Sequence, residues 1–209
     1  VRHPPGNDRL LTSVAWNGSG HCLAASTRGL VYWDGTHWAV VPTEGLDDLG
    51  RVQFVRRLTA TSWLLGSERG ALIEYSRGGL RELARLPDPA LSIVDAHGEL
   101  GDLAVIAAED ASRRPYLIGH AARRFMRPLP VEGAASVSAV ARIDDASWLV
   151  IGRSVEGKSY AARYLPLEWT LSPIATPEGR ALVAAASRPE RGLAVAVGSD
   201  GGIVRVERD

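Results

Sequence analysis

Apolar positions along the chain come in short runs that alternate with polar residues and are separated by clusters of Gly, Asp and Ser. Residues 29–42 show the pattern best, because two runs of β-branched and aromatic residues flank Asp34 and Gly35, a dipeptide typical of tight hairpin turns. Trp33 and Trp38 stand on either side of that turn and are predicted to pack across the two strands. No window has the i, i+3, i+4, i+7 apolar spacing of a helix. The pattern therefore predicts an all-β protein.

The hairpin pattern recurs along the chain. Four predicted strands end in Pro followed by acidic or turn-forming residues, at Pro42, Pro87, Pro130 and Pro177. Their spacing of about 45 residues is typical of β-propeller blades and similar repeats. We expect one β-propeller domain over residues 1–209, with repeat units at approximately 7–45, 46–89, 90–133, 134–179 and 180–209 plus 1–6.

Each unit is predicted to contain four antiparallel strands in a meander. The first strands are predicted at residues 12–16, 52–55, 91–95, 137–141 and 182–186. The second strands are predicted at 22–26, 63–66, 103–107, 148–152 and 193–198, and the third at 30–33, 71–75, 116–118, 160–164 and 203–206. Large residues five apart are predicted to pair across the next turn: Trp33 with Trp38, Tyr75 with Leu80, His120 with Phe125, and Tyr164 with Trp169.

Four-stranded units in series predict a β-propeller, in which each sheet stacks on the next around a central channel. The pattern contains five first, second and third strands but only four complete fourth strands. Residues 1–5 match the ends of the other fourth strands, so we expect them to lie beside 203–206 and close a fifth blade. The alternative is a partial ring with further blades elsewhere in a longer chain.

Composition narrows the function classes. The 24 basic and 24 acidic residues balance, which argues against binding to nucleic acid or to an anionic membrane surface. All the basic residues except Lys158 are Arg, which we interpret as the codon bias of a GC-rich bacterial genome. The single cysteine, Cys22, is predicted to be a small core residue. No signal peptide or membrane span is recognised, so a cytoplasmic location is favoured; an extracytoplasmic one stays open because the chain begins at Val1.

The blades resemble bacterial β-propeller repeats with a Val-Gly-x-x-Gly-x-Ile half and a Tyr-Asp-Gly-x-x-Trp half. The first half is Val-Gly-Ser-Asp-Gly-Gly-Ile at 197–203, and the second is Tyr-Trp-Asp-Gly-Thr-His-Trp at 32–38. The resemblance implies a sensor or assembly-factor propeller, in some bacteria attached to a Ser/Thr kinase. The third unit departs from the pattern, because residues 109–115 replace the glycine turn.

Candidate catalytic and metal-binding residues are few. Glycoside hydrolysis usually requires two carboxyl groups facing each other, and Asp95 is the only acidic residue on the predicted innermost strands. We interpret Asp95 as a turn former at a strand end. The five histidines, at 3, 21, 37, 97 and 120, form no pair with metal-ligand spacing and are predicted to be surface residues. We therefore expect no catalysis, no cofactor and no metal; the alternative is an enzyme or carbohydrate-binding propeller that uses the central channel.

A binding surface is predicted on the loops, because a rigid scaffold presents recognition residues there. The second-to-third-strand loops and the blade-to-blade connections should open on one face. The predicted partner-binding residues are Arg28, Glu68, Arg69, Glu109, Arg113, Arg114, Arg153 and Asp200, with Arg69 and Arg114 the strongest candidates. Lys158, Glu44, Asp47, Asp48, Asp88 and Glu132 would join them. The turns of the other face, at 17–20, 34–35 and 76–79, are interpreted as structural, and the partner as a protein or a small molecule.

Overall fold

The fold is described from a computed structural model, in which residues 10–42, 50–77, 79–100, 102–176, 178–179 and 181–208 are placed. These residues form five antiparallel sheets, in which each strand pairs with the strand before it, except that the last strand of sheet 3 pairs with the third strand of that sheet. The chain divides into two compact units, Val1–Ile93 and Val94–Asp209. Sheets 1 and 2 belong to the first unit. The boundary falls in the first strand of sheet 3, and sheets 4 and 5 belong to the second unit.

The first unit contains two four-stranded sheets. Sheet 1 consists of β1 (Leu11–Trp16), β2 (Cys22–Ser26), β3 (Gly29–Trp33) and β4 (Trp38–Val40). Sheet 2 consists of β5 (Val52–Arg57), β6 (Trp63–Ser67), β7 (Ala71–Ser76) and β8 (Gly79–Arg85). The two sheets pack through one apolar cluster that includes Leu23, Leu30, Val55, Leu65 and Ile73. Cys22 is buried, as predicted, and burial raises the pKa of its thiol to about 11.

The other strands form three sheets. Sheet 3 consists of β9 (Ser92–Gly98), β10 (Leu103–Glu109), β11 (Pro115–Ala121), β12 (Arg124–Phe125) and β13 (Leu129–Pro130), the last two both pairing with β11. Sheet 4 consists of β14 (Ala134–Arg142), β15 (Trp148–Ser154), β16 (Ser159–Leu165) and β17 (Thr170–Pro173). Sheet 5 consists of β18 (Leu182–Arg188), β19 (Leu193–Gly198) and β20 (Ile203–Glu207), with a 3₁₀ turn at Pro189–Arg191. Apolar clusters join sheet 3 to sheet 4 and sheet 4 to sheet 5.

Neighbouring sheets are also joined by hydrogen bonds at equivalent places. In the first unit, the Trp63 indole donates to the Ala15 carbonyl at 3.0 Å, and the Val55 N–H donates to Ser13 Oγ at 2.9 Å. In the second unit, the Trp148 indole donates to the His97 carbonyl at 3.2 Å, and the Val140 N–H donates to Asp95 Oδ2 at 3.0 Å. Each pair ties the first strand of one sheet to the first and second strands of the next.

The predicted first, second and third strands are confirmed in all five units, with ends displaced by three residues at most. The predicted pairs Trp33–Trp38, Tyr75–Leu80 and His120–Phe125 are confirmed as cross-strand partners. The Tyr164–Trp169 pair is wrong, since Tyr164 lies opposite Leu171. The turn there is longer than in the other units: Trp169 has φ 54° and its N–H donates to the Pro166 carbonyl.

Two further details differ from the predictions. The pairing of Trp33 with Trp38 closes a loop of four residues, so Asp34 and Gly35 are not a two-residue turn. Asp95 lies inside β9 rather than in a turn. Its surface is 3% exposed, and its carboxylate accepts the hydrogen bond from Val140 of sheet 4. The proposed closing strand at residues 1–5 lies outside the described residues, so sheet 5 is described with three strands.

Candidate ligand-binding cleft

The β1–β2 turn of sheet 1 is organised by the side chain of Asn17. Its Oδ1 accepts hydrogen bonds from Ser19 N at 3.0 Å, Ser19 Oγ at 2.8 Å and His21 N at 3.2 Å. Asn17 is buried, and its Nδ2 has no hydrogen-bond partner within the described part of the chain. A buried unpaired donor costs on the order of 1–3 kcal/mol. The Asn17 side chain therefore shapes this turn from a buried position.

The β3–β4 loop is organised in the same way by Asp34. Its Oδ1 accepts hydrogen bonds from Thr36 N and His37 N, both at 2.7 Å, and from Thr36 Oγ1 at 2.8 Å. The hydrogen bonds from His37 and Thr36 lower the pKa of Asp34 to about 2. The carboxylate is therefore ionised at neutral pH, and the loop that carries it has a defined shape.

Four rings gather where these turns meet those of sheet 2. The Tyr32 ring lies 5.7 Å from Trp63 at an interplanar angle of 85° and 6.1 Å from Tyr75 at 66°. Trp63 and Tyr75 are 6.0 Å apart at 37°, and His21 lies 5.8 Å from Tyr32. Edge-to-face contacts of this kind stabilise aromatic clusters. Trp63 is 2% exposed and forms the base of the cluster, whereas Tyr32, Tyr75 and His21 are half-buried.

An open cleft of about 700 Å³ lies above this cluster, between sheets 1 and 2. Its volume is within the range of roughly 300–1,000 Å³ that is usual for small-molecule sites. The lining residues come from the β1–β2, β3–β4, β5–β6 and β7–β8 connections and the adjoining strand ends: Asn17, Ser19, His21, Tyr32, Asp34, Thr61, Trp63, Tyr75, Ser76 and Arg77.

The chemistry of the lining is apolar at the base and polar at the edge. Burial raises the pKa of Tyr75, with a smaller contribution from the neighbouring Tyr32 hydroxyl. Neither tyrosine hydroxyl makes a hydrogen bond to another residue that the structure describes. Asp34 and Arg77 supply one charge of each sign. The cleft thus combines ring surfaces with two tyrosine hydroxyls that have no partner among the described residues and with one charge of each sign.

The predicted partner-binding residues all lie at or beside the connection between the second and third strands of their own sheets. Those residues are Arg28, Glu68 and Arg69 in the first unit, and Glu109, Arg113, Arg114, Arg153 and Asp200 in the second. All are exposed except Glu109, which is half-buried. Arg114 Nε donates to Asp110 Oδ2 at 2.8 Å, and the Arg114 N–H contributes most to lowering the pKa of Asp110. Glu44, Asp47 and Asp48 lie outside the described residues.

None of these predicted residues lines the cleft. In the first unit they occupy the opposite ends of the strands, while the cleft lies among the turns that we interpreted as structural. The sequence does carry a sign of the cleft, because Tyr32 and Tyr75 occupy equivalent places in their third strands and Trp63 begins a second strand. These residues did not predict a cleft, because they also fit cross-strand packing within a single sheet.

Three histidines are less exposed than the prediction of surface residues implies, and one of them is the half-buried His21 of the cleft. His120 is buried against Phe125, with ring centroids 4.8 Å apart, and burial lowers its pKa. His97 is half-buried and its Nδ1 accepts a hydrogen bond from Arg142 N at 2.6 Å. Across the described ranges, no group of three or more His, Cys, Asp or Glu side chains could hold a metal ion. No helix among the placed residues is long and apolar enough to cross a membrane.

Comparison with known proteins establishes the fold. No protein-family model matches the sequence, and a search of curated proteins finds no match. Among solved structures, the chain is similar to the β-propeller domain of Cps50 (Swd1) from Myceliophteria thermophila, with a TM-score of 0.65. The alignment covers 95% of this chain and 69% of that one, at 13% identity. This chain is a β-propeller. The five sheets are its blades, as predicted, and at this identity the likeness shows the fold alone.

Proposed function

We propose that this propeller is a non-catalytic binding module whose cleft between blades 1 and 2 receives a small ligand or a side chain of a protein partner. The observation that carries the proposal is the set of unused groups above a rigid aromatic base. The hydroxyls of Tyr32 and Tyr75 have no hydrogen-bond partner among the described residues, while Trp63 is held by its bond to Ala15. Binding sites combine apolar surface with a few oriented polar groups in this way.

The composition of the cleft supports binding without catalysis. Asp34 is its one carboxylate among the described lining residues, whereas a glycosidase usually needs a pair. Asp95, the acidic residue of the predicted innermost strands, is buried and accepts a hydrogen bond from the Val140 N–H. The proposal also retains the charged loops at the opposite strand ends as a contact surface for a protein.

The wider role is proposed from the sequence resemblance. Propellers with these repeat motifs occur in bacterial sensor and assembly proteins, some of them attached to Ser/Thr kinases. We propose that this chain likewise reports a bound ligand to a larger bacterial signalling protein. The cleft is the place where such a ligand would act.

The cleft can be tested by filling it. Thr61 is exposed on its edge, so Thr61→Trp should occupy the space without disturbing the core. Thr170→Trp, at an exposed position of β17, is the matched control. A library of metabolites and peptides is screened by ligand-observed NMR against the parent and both variants. We expect hits that bind the parent and the control, fail to bind Thr61→Trp, and remain chemically unchanged on incubation.

Two results would contradict the proposal. Hits that bind Thr61→Trp as well as the parent would show that the cleft is not the site. Turnover of a bound compound would show that the module is an enzyme.

A further inference from the structure

We propose that the ligand of the cleft is a neutral saccharide, bound with one ring face against Tyr32 or Tyr75 and its hydroxyls toward the cleft edge. This inference rests on the proposed function and adds the chemical class of the ligand. It is drawn from three properties of the lining: the arrangement of the rings, the mixture of hydrogen-bonding groups, and the balance of charge.

The rings form walls at an angle rather than a flat platform. Tyr32 stands nearly perpendicular to Trp63 and at 66° to Tyr75. A ligand must therefore offer apolar surface on one face and polar groups around its edge. A pyranose ring has that form, because its axial C–H groups make an apolar patch and its hydroxyls point outward. A purely apolar ligand would leave the polar edge unpaired, which carries a desolvation penalty.

The hydrogen-bonding groups suit hydroxyls, which both donate and accept. The second oxygen of Asp34 can only accept, since Oδ1 takes the three bonds of the loop. The hydroxyls of Tyr32 and Tyr75 can do either. A ligand that carries several hydroxyls can satisfy the Asp34 carboxylate and both tyrosine hydroxyls at once.

The charges argue against an ionic ligand. Asp34 would attract a cation, but the Arg77 guanidinium lines the same cleft and would repel it. An anion such as a phosphate would be attracted by Arg77 and repelled by Asp34. A quaternary ammonium group would gain from the aromatic rings, yet it has no donor or acceptor for the hydroxyls of Tyr32 and Tyr75. An uncharged polar ligand meets both charges with hydrogen bonds and needs no counter-charge.

A glycan experiment tests the inference. An array of neutral glycans is probed with the labelled chain, and the bound structures are measured as free tri- and tetrasaccharides by calorimetry. We expect saturable binding of at least one saccharide. Tyr75→Ala should weaken it about tenfold or more, as for a central aromatic contact. Tyr75→Phe, which keeps the ring, should weaken it by a smaller factor. Tyr160→Phe removes a half-buried tyrosine hydroxyl from blade 4 and should leave affinity unchanged.

The outcomes separate this inference from the proposed function. If no neutral glycan binds while the metabolite and peptide screen still finds ligands that Thr61→Trp excludes, the assignment of a saccharide is wrong. The proposal that the cleft binds a ligand is then retained. Tighter binding of tetramethylammonium or a trimethyllysine peptide than of any glycan would also overturn it. Glycan binding that survives both Tyr75→Ala and Thr61→Trp would overturn the assignment to this cleft.

Discussion

Gly35 decides the shape of the loop between β3 and β4. Its φ is +100°, and a Cβ built there would have the Gly20 carbonyl 4.0 Å away, so the space is open and only the backbone resists a side chain. Gly35→Val should therefore lower the free energy of unfolding by about 1–3 kcal/mol, the usual cost of local backbone strain. Gly35→Asn should cost less, because Asn tolerates positive φ better than β-branched residues. An unchanged denaturation midpoint for the valine variant would contradict this conformation.

Asp34 makes the stability of the same loop depend on pH. Its pKa is lowered from 3.8 to about 2, so its ionised form is favoured in the folded protein. Its contribution to stability is then fully present above the ordinary pKa and is lost as the pH falls through about 2. The difference in free energy of unfolding between the parent and Asp34→Ala should thus shrink as the pH is lowered from about 5 to about 2. Denaturation curves measured at several pH values in this range would show the change. A constant difference, or an NMR titration of Asp34 at an ordinary pKa, would exclude this role.

Strands were predictable from sequence because each one repeats a local pattern of apolar runs, small residues and turns. The hydrogen bonds between sheets were not predictable, because they join residues far apart in sequence, such as Ser13 to Val55 and Asp95 to Val140. The sequence shows that Trp63 and Trp148 begin equivalent strands, but not that both indoles reach the preceding sheet. The cleft was missed for the same reason, because it requires Tyr32 and Tyr75 to meet across two sheets.

The indole bond of Trp63 gives a prediction at the scale of the blade. Trp63→Phe keeps an aromatic ring at the base of the cleft but removes the indole N–H that donates to the Ala15 carbonyl. We expect a loss of about 1–3 kcal/mol in the free energy of unfolding, as for a hydrogen bond removed from a buried partner. Trp16→Phe, at a position that is 57% exposed, is the control and should change stability little. Equal losses in the two variants would mean that the indole bond contributes nothing specific.

At the scale of the molecule, two kinds of surface are proposed. One is the charged set of second-to-third-strand loops, represented by Arg69 and Arg114, and the other is the cleft. In blade 2 they lie at opposite ends of β6, since Trp63 begins the strand and Arg69 follows its last residue, Ser67. Five strand residues span roughly 16 Å, whereas charges are screened over about 8 Å at physiological salt. The two surfaces of blade 2 should therefore bind independently.

This independence can be measured with one charge-reversal variant. Arg69→Glu combined with Arg114→Glu should weaken binding to a protein partner identified by pull-down, because both residues are exposed and the change replaces guanidinium groups, which can bind carboxylates, by carboxylates. It should leave the melting temperature unchanged and the affinity for a cleft ligand within about twofold, since salt screens the charge of residue 69 at its distance from the cleft. Thr61→Trp should abolish binding of the cleft ligand and leave binding of the protein partner unchanged. Loss of the protein partner in Thr61→Trp alone would place protein recognition in the cleft and remove the functional role assigned to the charged loops.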